Sequence, residues 1–220
     1  MQYIKSEDYK KGSADLASAI ITELNQGKKV LWFLTGGSSI PSCVEVLKIL
    51  KNSNADLKKI TVTLTDERYG EVGHGDSSWK KLTDAGFDFA ALNTIPVLTG
   101  KNFEETTTDF ESSLSNAFSA NDVIISQFGI GSDLHIAGIL PLSVATEESN
   151  LVSAYTSEPF KRITLSLVTI RKINKAFVFI FGESKRNVIS ELKESQAPIK
   201  EKPANILKEI YEVFVYSDQI

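Results

Sequence analysis

The stretch VLWFLTGGSSIPSCVEVLKILKN, residues 30–52, decides the fold. Its first six residues form an apolar run of strand length and composition, and Gly36 and Gly37 end it. Beyond SSIP, the residues Val44, Leu47 and Leu50 recur near helical spacing, and Ser42 is placed to cap the start of that helix. The order is strand, glycine turn, helix.

The same order returns along the chain. ITVTLT (60–65) runs into DERYG, DVIISQF (122–128) runs into GIGSDLH, and AFVFIF (176–181) runs into GESKRNVISELKE, which carries a helical pattern. RITLSLVTI (162–170) reads as a further apolar strand before a short polar turn. Upstream, SADLASAIITELNQ (13–26) reads as a helix that leads through Gly27 into the first strand; downstream, the surface loop APIKEKPA (197–204) precedes a final helix and strand. Buried-type strands separated by helices predict an α/β fold with an open, mostly parallel sheet covered by helices on both faces. No repeat of fixed period and no linker stands out, so one domain spanning residues 1–220 is expected.

Composition narrows the function. The chain is 42% hydrophobic and 24% charged, as in an ordinary globular protein, so it is expected to fold without a partner. Its net charge is −4 and its lysines and arginines are scattered, which argues against a nucleic-acid partner. No apolar run approaches the roughly 18–20 residues that span a bilayer, and MQYIKSEDYK at the start lacks a signal peptide's apolar stretch. A cytoplasmic protein without membrane contact, monomeric or weakly dimeric, is expected. One cysteine, Cys43, excludes an internal disulfide, and two histidines far apart offer no zinc spacing, so neither metal nor cofactor is expected. GIGSDL is not a dinucleotide fingerprint, because Leu134 fills the third glycine position of GxGxxG, and no GxxxxGK[ST] occurs.

The polar motifs are informative through their position. GGSS, DER, GIGSDLH and GESK each begin just past the C-terminal end of an apolar strand, the edge at which open parallel sheets bind ligands. Gly36, Gly37, Ser38 and Ser39 before a helix offer backbone N–H groups, hydroxyls and a positive helix end to a phosphate; the same residues also suit a tight turn with serine capping. Lys185 and Arg162 supply cations suited to a phosphate; each alone reads more readily as a solvated surface charge, and it is the shared sheet edge that favours a site. His135, next but one to Asp133, carries a proton that comes and goes near neutral pH. His74 has weaker context and reads as a loop residue. Asp66, Glu67 and Arg68 put two acids and a base straight after a strand, or else form a surface ion-pair cluster. Cys43 lacks a base partner and reads as packing.

Taken in order, GGSS (36–39), TDERY (65–69), HGDSSW (74–79), GIGSDLHIAGILP (129–141), RITLS (162–166) and GESK (182–185) resemble the glucosamine-6-phosphate isomerase/6-phosphogluconolactonase family over nearly the whole chain. The resemblance implies a Rossmann-like α/β fold that acts on phosphorylated sugars without a metal. Leu140 stands before Pro141 where the deaminase branch has an acid, and DER replaces that branch's DEY, so the sequence is similar to the lactonase branch. That branch opens 6-phospho-D-glucono-1,5-lactone to 6-phosphogluconate; a deaminase or a non-catalytic sugar-phosphate binder are the alternatives.

Carried over by residue, the resemblance makes His135 the general base, with Asp66 and Asp133 shaping or polarising the site and Arg68 on the substrate or developing oxyanion. It lays the phosphate on Gly37, Ser38 and Ser39, with Arg162 and Lys185 neutralising it. Spacing leaves open whether Asp66 or Asp133 orients His135. The sequence departs from the family in the inserted Ile40, in Asp76-Ser77-Ser78 for the usual DSN, and in Leu134 for a glycine. If position 134 requires φ > 0, a leucine is expected to strain or reshape the loop and displace His135.

Overall fold

The computed structural model describes residues 1–147 and 149–220. In chain order the elements are β1 (Gln2–Lys5), α1 (Lys10–Asn25), β2 (Val30–Leu34), α2 (Ile40–Lys51), β3 (Ile60–Leu64), β4 (Asp66–Arg68), α3 (Ser78–Asp84) and β5 (Asn93–Thr94). There follow α4 (Phe103–Ala120), β6 (Val123–Gly129), β7 (Val152–Ser157), β8 (Phe160–Leu165), α5 (Leu167–Ile170), β9 (Lys175–Phe179), α6 (Arg186–Glu194) and β10 (Glu212–Ser217).

Seven strands form one sheet in the order β1-β10-β9-β6-β2-β3-β5, parallel throughout, and helices flank it. This is the predicted open α/β architecture. Its interior strand β2, between β6 and β3, is buried at every residue, which is why VLWFL is uniformly apolar instead of alternating. The four strands whose ends carry the polar motifs, β9, β6, β2 and β3, are consecutive neighbours, so their loops emerge side by side. No helix among the described residues is long and apolar enough to cross a membrane.

A second, antiparallel sheet of order β4-β8-β7 corrects two expectations. DER is not the start of a loop: it is strand β4, with Asp66 opposite Thr164 and Arg68 opposite Arg162. RITLSLVTI is not one strand of the parallel sheet. β8 ends at Leu165, and Ser166 then turns the chain into α5 by accepting a hydrogen bond from the Thr169 amide (3.3 Å). The Ser42 cap is also corrected. Pro41, tolerated in a first turn, lets α2 begin at Ile40, and Ser42 lies buried inside it, donating to the Ser39 carbonyl (2.6 Å).

Close approach fixes α1 on the sheet. A Cβ built at Gly12 would lie 2.7 Å from the Phe179 ring and 2.8 Å from Tyr216. In an open helix Gly→Ala stabilises by about 1 kcal/mol. Here overpacking of about 1–3 kcal/mol opposes it, so Gly12→Ala is expected to lower the urea midpoint. A raised midpoint would show that α1 can stand farther from the sheet than its contacts indicate.

Candidate active site

The loops that follow β9, β6, β2 and β3, with β4 and β8 alongside, enclose a pocket of about 240 Å³. Gly37, Ser38, Ser39, Asp66, Arg68, His135, Arg162 and Lys185 all line it; of the residues chosen from sequence only Asp133 lies off its wall, behind His135.

The GGSS side is stiff. Gly37 adopts φ 65°, which a side chain would resist, and Gly37–Ser39 make one tight turn into α2. Behind it runs a buried polar network. Gln127, fully buried at mid-β6, donates to Ser42 Oγ, Ser42 donates to the Ser39 carbonyl, and Cys43 Sγ donates to Gln127 Oε1 (3.3 Å). Burial pushes the Cys43 thiol up to about 12, so it serves this network as a neutral donor and not as a nucleophile.

Three cations face the pocket. Arg68 and Arg162 stand opposite each other on β4 and β8, their guanidinium carbons 4.9 Å and 5.6 Å from the centre of the Phe160 ring. The Nε of each is buried without a hydrogen-bond partner among the described residues. Lys185 donates to the Ile130 carbonyl (2.7 Å). No carboxylate among the described residues lies within ion-pair distance of any of the three. Buried donors and like charges left so near one another are what an anion would satisfy.

Glu67 has a role that the sequence reading missed. It is 1% exposed and accepts four hydrogen bonds, from the amides of Arg68 (2.8 Å), Ser78 (2.7 Å) and Trp79 (3.1 Å) and from Ser77 Oγ (2.8 Å). Burial pushes its carboxyl above the usual range, and these donors oppose the shift. DER is therefore no surface ion-pair cluster: its middle acid ties HGDSSW to β4 and sets Ser78 on the pocket wall. His74 belongs to the same support. Its Nε2 donates to the Arg68 carbonyl (2.9 Å), leaving Nδ1 to accept from the Asp76 amide (3.3 Å).

His135 sits in two consecutive reversals. In the first, the Leu134 amide donates to the Gly131 carbonyl (3.1 Å), and the Gly131 amide donates to the His135 carbonyl (3.0 Å). In the second, the Ile139 amide donates to the Ile136 carbonyl (2.8 Å), with Ala137 and Gly138 both at φ > 0 as a type I′ turn requires. The antiparallel sheet clamps this loop: Thr164 Oγ1 donates to the Ala137 carbonyl, and Tyr155 donates to the Gly138 carbonyl (2.6 Å). A Cβ at Gly131 would fall 2.1 Å from His135 Nδ1, so the ring rests directly on the bare glycine.

Geometry answers which acid holds the ring. Asp133 Oδ1 lies 2.7 Å from His135 Nδ1 and 3.2 Å from its amide, so Nδ1 carries the proton and Nε2 is left free. Burial raises the Asp133 carboxyl, but the amide, charge and ring of His135 outweigh it and hold Asp133 below the usual carboxylate range. Asp66 faces elsewhere, accepting from Thr65 Oγ1 (3.1 Å) and packing where Gly138 lacks a Cβ.

Leu134 has φ 62°, the left-handed conformation expected of a residue in a glycine's place, and His135 lies on the pocket wall. The reason is energetic. A left-handed leucine costs about 1–2 kcal/mol. Its side chain is 0% exposed within the core, and burying a leucine stabilises by about 1.5–3 kcal/mol. Burial offsets the strain, and His135 lies on the pocket wall.

Two outcomes follow. Glu67→Gln presents an amide to four donors, and urea denaturation should find it less stable by about 1–3 kcal/mol; equal stability would mean that the four bonds contribute nothing net. Asp133 has a depressed folded value, so its contribution exists above the unfolded carboxyl pKa of about 3.9 and disappears as pH falls through the folded value. Asp133→Asn should accordingly be less stable than wild type at pH 7, with the gap closing in acid; a gap that widens in acid would contradict this sign.

Residues 5–215 match the family described as glucosamine-6-phosphate isomerases/6-phosphogluconolactonase. The chain is 28% identical over 192 residues to a 6-phosphogluconolactonase of Helicobacter pylori, covering 84% of this chain and 82% of the relative. It is 27% identical over 238 residues to a glucosamine-6-phosphate deaminase of Lactobacillus johnsonii, covering 100% and 95%. The crystal structure of a 6-phosphogluconolactonase from Shewanella baltica shares the fold, with a TM-score of 0.81 at 22% identity over 99% of this chain and 97% of that one. With the match running almost from end to end and the motif loops gathered on one pocket, the chain belongs to the glucosamine-6-phosphate isomerase/6-phosphogluconolactonase family.

Proposed function

We propose that the chain is a cofactor-free hydrolase that opens 6-phospho-D-glucono-1,5-lactone to 6-phosphogluconate in the oxidative pentose phosphate pathway, acting in the cytoplasm as a monomer or weak homodimer. The observation that carries this reading is the Asp133–His135 pair, with Nε2 free, at a pocket whose three cations have no carboxylate partner among the described residues.

In this reading the phosphate rests on Gly37, Ser38 and Ser39, neutralised by Arg162 and Lys185. His135 Nε2 takes a proton from water as the water oxygen bonds to the lactone carbonyl carbon. Arg68 stabilises the negative charge that moves onto the carbonyl oxygen. The tetrahedral centre then collapses, the ring C–O bond breaks, and the departing ring oxygen receives the proton from His135 to become a hydroxyl. The new carboxylic acid ionises, releasing one proton to solvent. Asp133 keeps the proton on Nδ1 throughout, and Asp66 shapes the floor beside Gly138. A lactone carbonyl is already electrophilic, so a positioned base worth about 10²–10⁴-fold and one aimed cation suffice.

Relatives of comparable identity include both lactonases and deaminases, so the branch rests on particular residues. Leu140 is apolar where the deaminase branch carries an acid, which leaves no carboxyl at that position for ring-opening deamination.

The test follows 6-phosphogluconate formation from freshly made lactone, corrected for spontaneous hydrolysis, together with ammonia release from glucosamine 6-phosphate. Wild type should accelerate the first and not the second, and His135→Ala should lower kcat by about 10²–10⁴-fold. An unchanged rate in His135→Ala removes the general base. Ammonia release favours the deaminase, and tight 6-phosphogluconate binding without turnover of any phosphosugar lactone favours a binding protein.

A further inference from the structure

Leu134 is held from several sides. Its side chain is fully buried in the core, its amide closes the turn onto the Gly131 carbonyl (3.1 Å), and its carbonyl accepts from the Ala204 amide (2.9 Å). Farther along the same loop, the Leu142 amide donates to the Lys200 carbonyl (2.8 Å). The segment from Lys200 to Ala204 thus grips the loop on both sides of His135, and the leucine is the part that reaches inward. His135 is the very next residue, and its ring is set by Asp133 immediately before Leu134.

We propose that Leu134 is a positioning residue whose buried side chain anchors the 131–139 loop so that the Asp133–His135 pair points into the pocket. The leucine is then a working part of this chain's site and not a residue that spoils a glycine turn. Glycine at this position removes the left-handed strain but also removes the anchor, and it frees the backbone to leave the observed turn. The balance of burial over strain predicts that the anchor matters more. The consequence for rate rests on the hydrolase reading; the consequence for loop geometry does not.

The experiment compares Leu134→Gly, Leu134→Ala and Leu134→Met with wild type. Methionine keeps an apolar side chain of similar volume in the core and should retain kcat within about 3-fold. Glycine and alanine should lower kcat by about 10-fold or more, since small misplacements of a catalytic group are costly in rate. KM and inorganic phosphate affinity should change by less than about 2-fold in all three, because Gly37, Ser38, Ser39 and Arg162 belong to other elements.

Amide hydrogen exchange gives a readout independent of turnover. Gly131, whose amide closes the first turn, should exchange faster in Leu134→Gly, while Ile139, in the turn held by Thr164 and Tyr155, and the amides of β6 stay protected. A glycine variant with wild-type exchange and wild-type or higher kcat overturns the proposal. If the glycine variant does not fold, equal kcat in Leu134→Ala and Leu134→Met overturns it instead. A wild-type chain inactive on the lactone overturns the hydrolase reading alone, and hydrogen exchange then decides the role of Leu134.

Discussion

Parallel pairing of β9, β6, β2 and β3 is the constraint on which the site depends. Four neighbouring strands running the same way must all turn back at the same edge, so motifs scattered from residue 36 to residue 185 meet at one pocket. The core of the parallel sheet is mostly apolar; the loops beyond its edge, together with β4 and β8, supply the pocket's polar groups. The antiparallel β4-β8-β7 sheet completes the arrangement, because it brings Arg68 and Arg162 opposite each other at the pocket rim.

The two sides of the pocket are held by different physics. On the GGSS side, a glycine at φ > 0 and a buried chain of hydrogen bonds through Gln127, Ser42 and Ser39 fix the backbone without strain on any side chain. On the His135 side, two non-glycine residues, Leu134 and Ala137, adopt φ > 0 and are held there by external restraint. Thr164 and Tyr155 restrain the second turn from the antiparallel sheet, and core burial of Leu134 restrains the first. Glu67 has the same function for the HGDSSW loop, where one buried carboxylate gathers three amides and a hydroxyl.

Much of this was legible from the residues. Continuous strand-length apolar runs marked the central strands, and the motifs after them marked the pocket edge. What escaped has physical causes. β4 is three residues long, and its pairing with β8 is a tertiary fact that no local pattern announces. Helix α4 went unread although Asn102 caps it and Phe110, Leu114 and Ala117 recur at helical spacing; its many threonines and serines dilute the apolar stripe. Glu67 reads as a surface charge between Asp66 and Arg68, and only the alternation of β4 turns it inward. Whether Asp66 or Asp133 holds His135 depended on a turn whose left-handed residue is a leucine. Leu134 was legible only in part, because its strain is visible in sequence and its burial is not.

The central claim is that His135 presents an unprotonated Nε2 to the pocket because Asp133 holds the proton on Nδ1. The chain has only two histidines, and their bonding demands opposite tautomers: Nδ1–H for His135 on Asp133, and Nε2–H for His74 on the Arg68 carbonyl. Nitrogen-15 NMR of the imidazole rings distinguishes the two directly. The account predicts one neutral ring of each tautomer, with the Nδ1–H signal lost in Asp133→Asn and shifted by 6-phosphogluconate. Two Nε2–H rings, or a His135 signal indifferent to both changes, would contradict it.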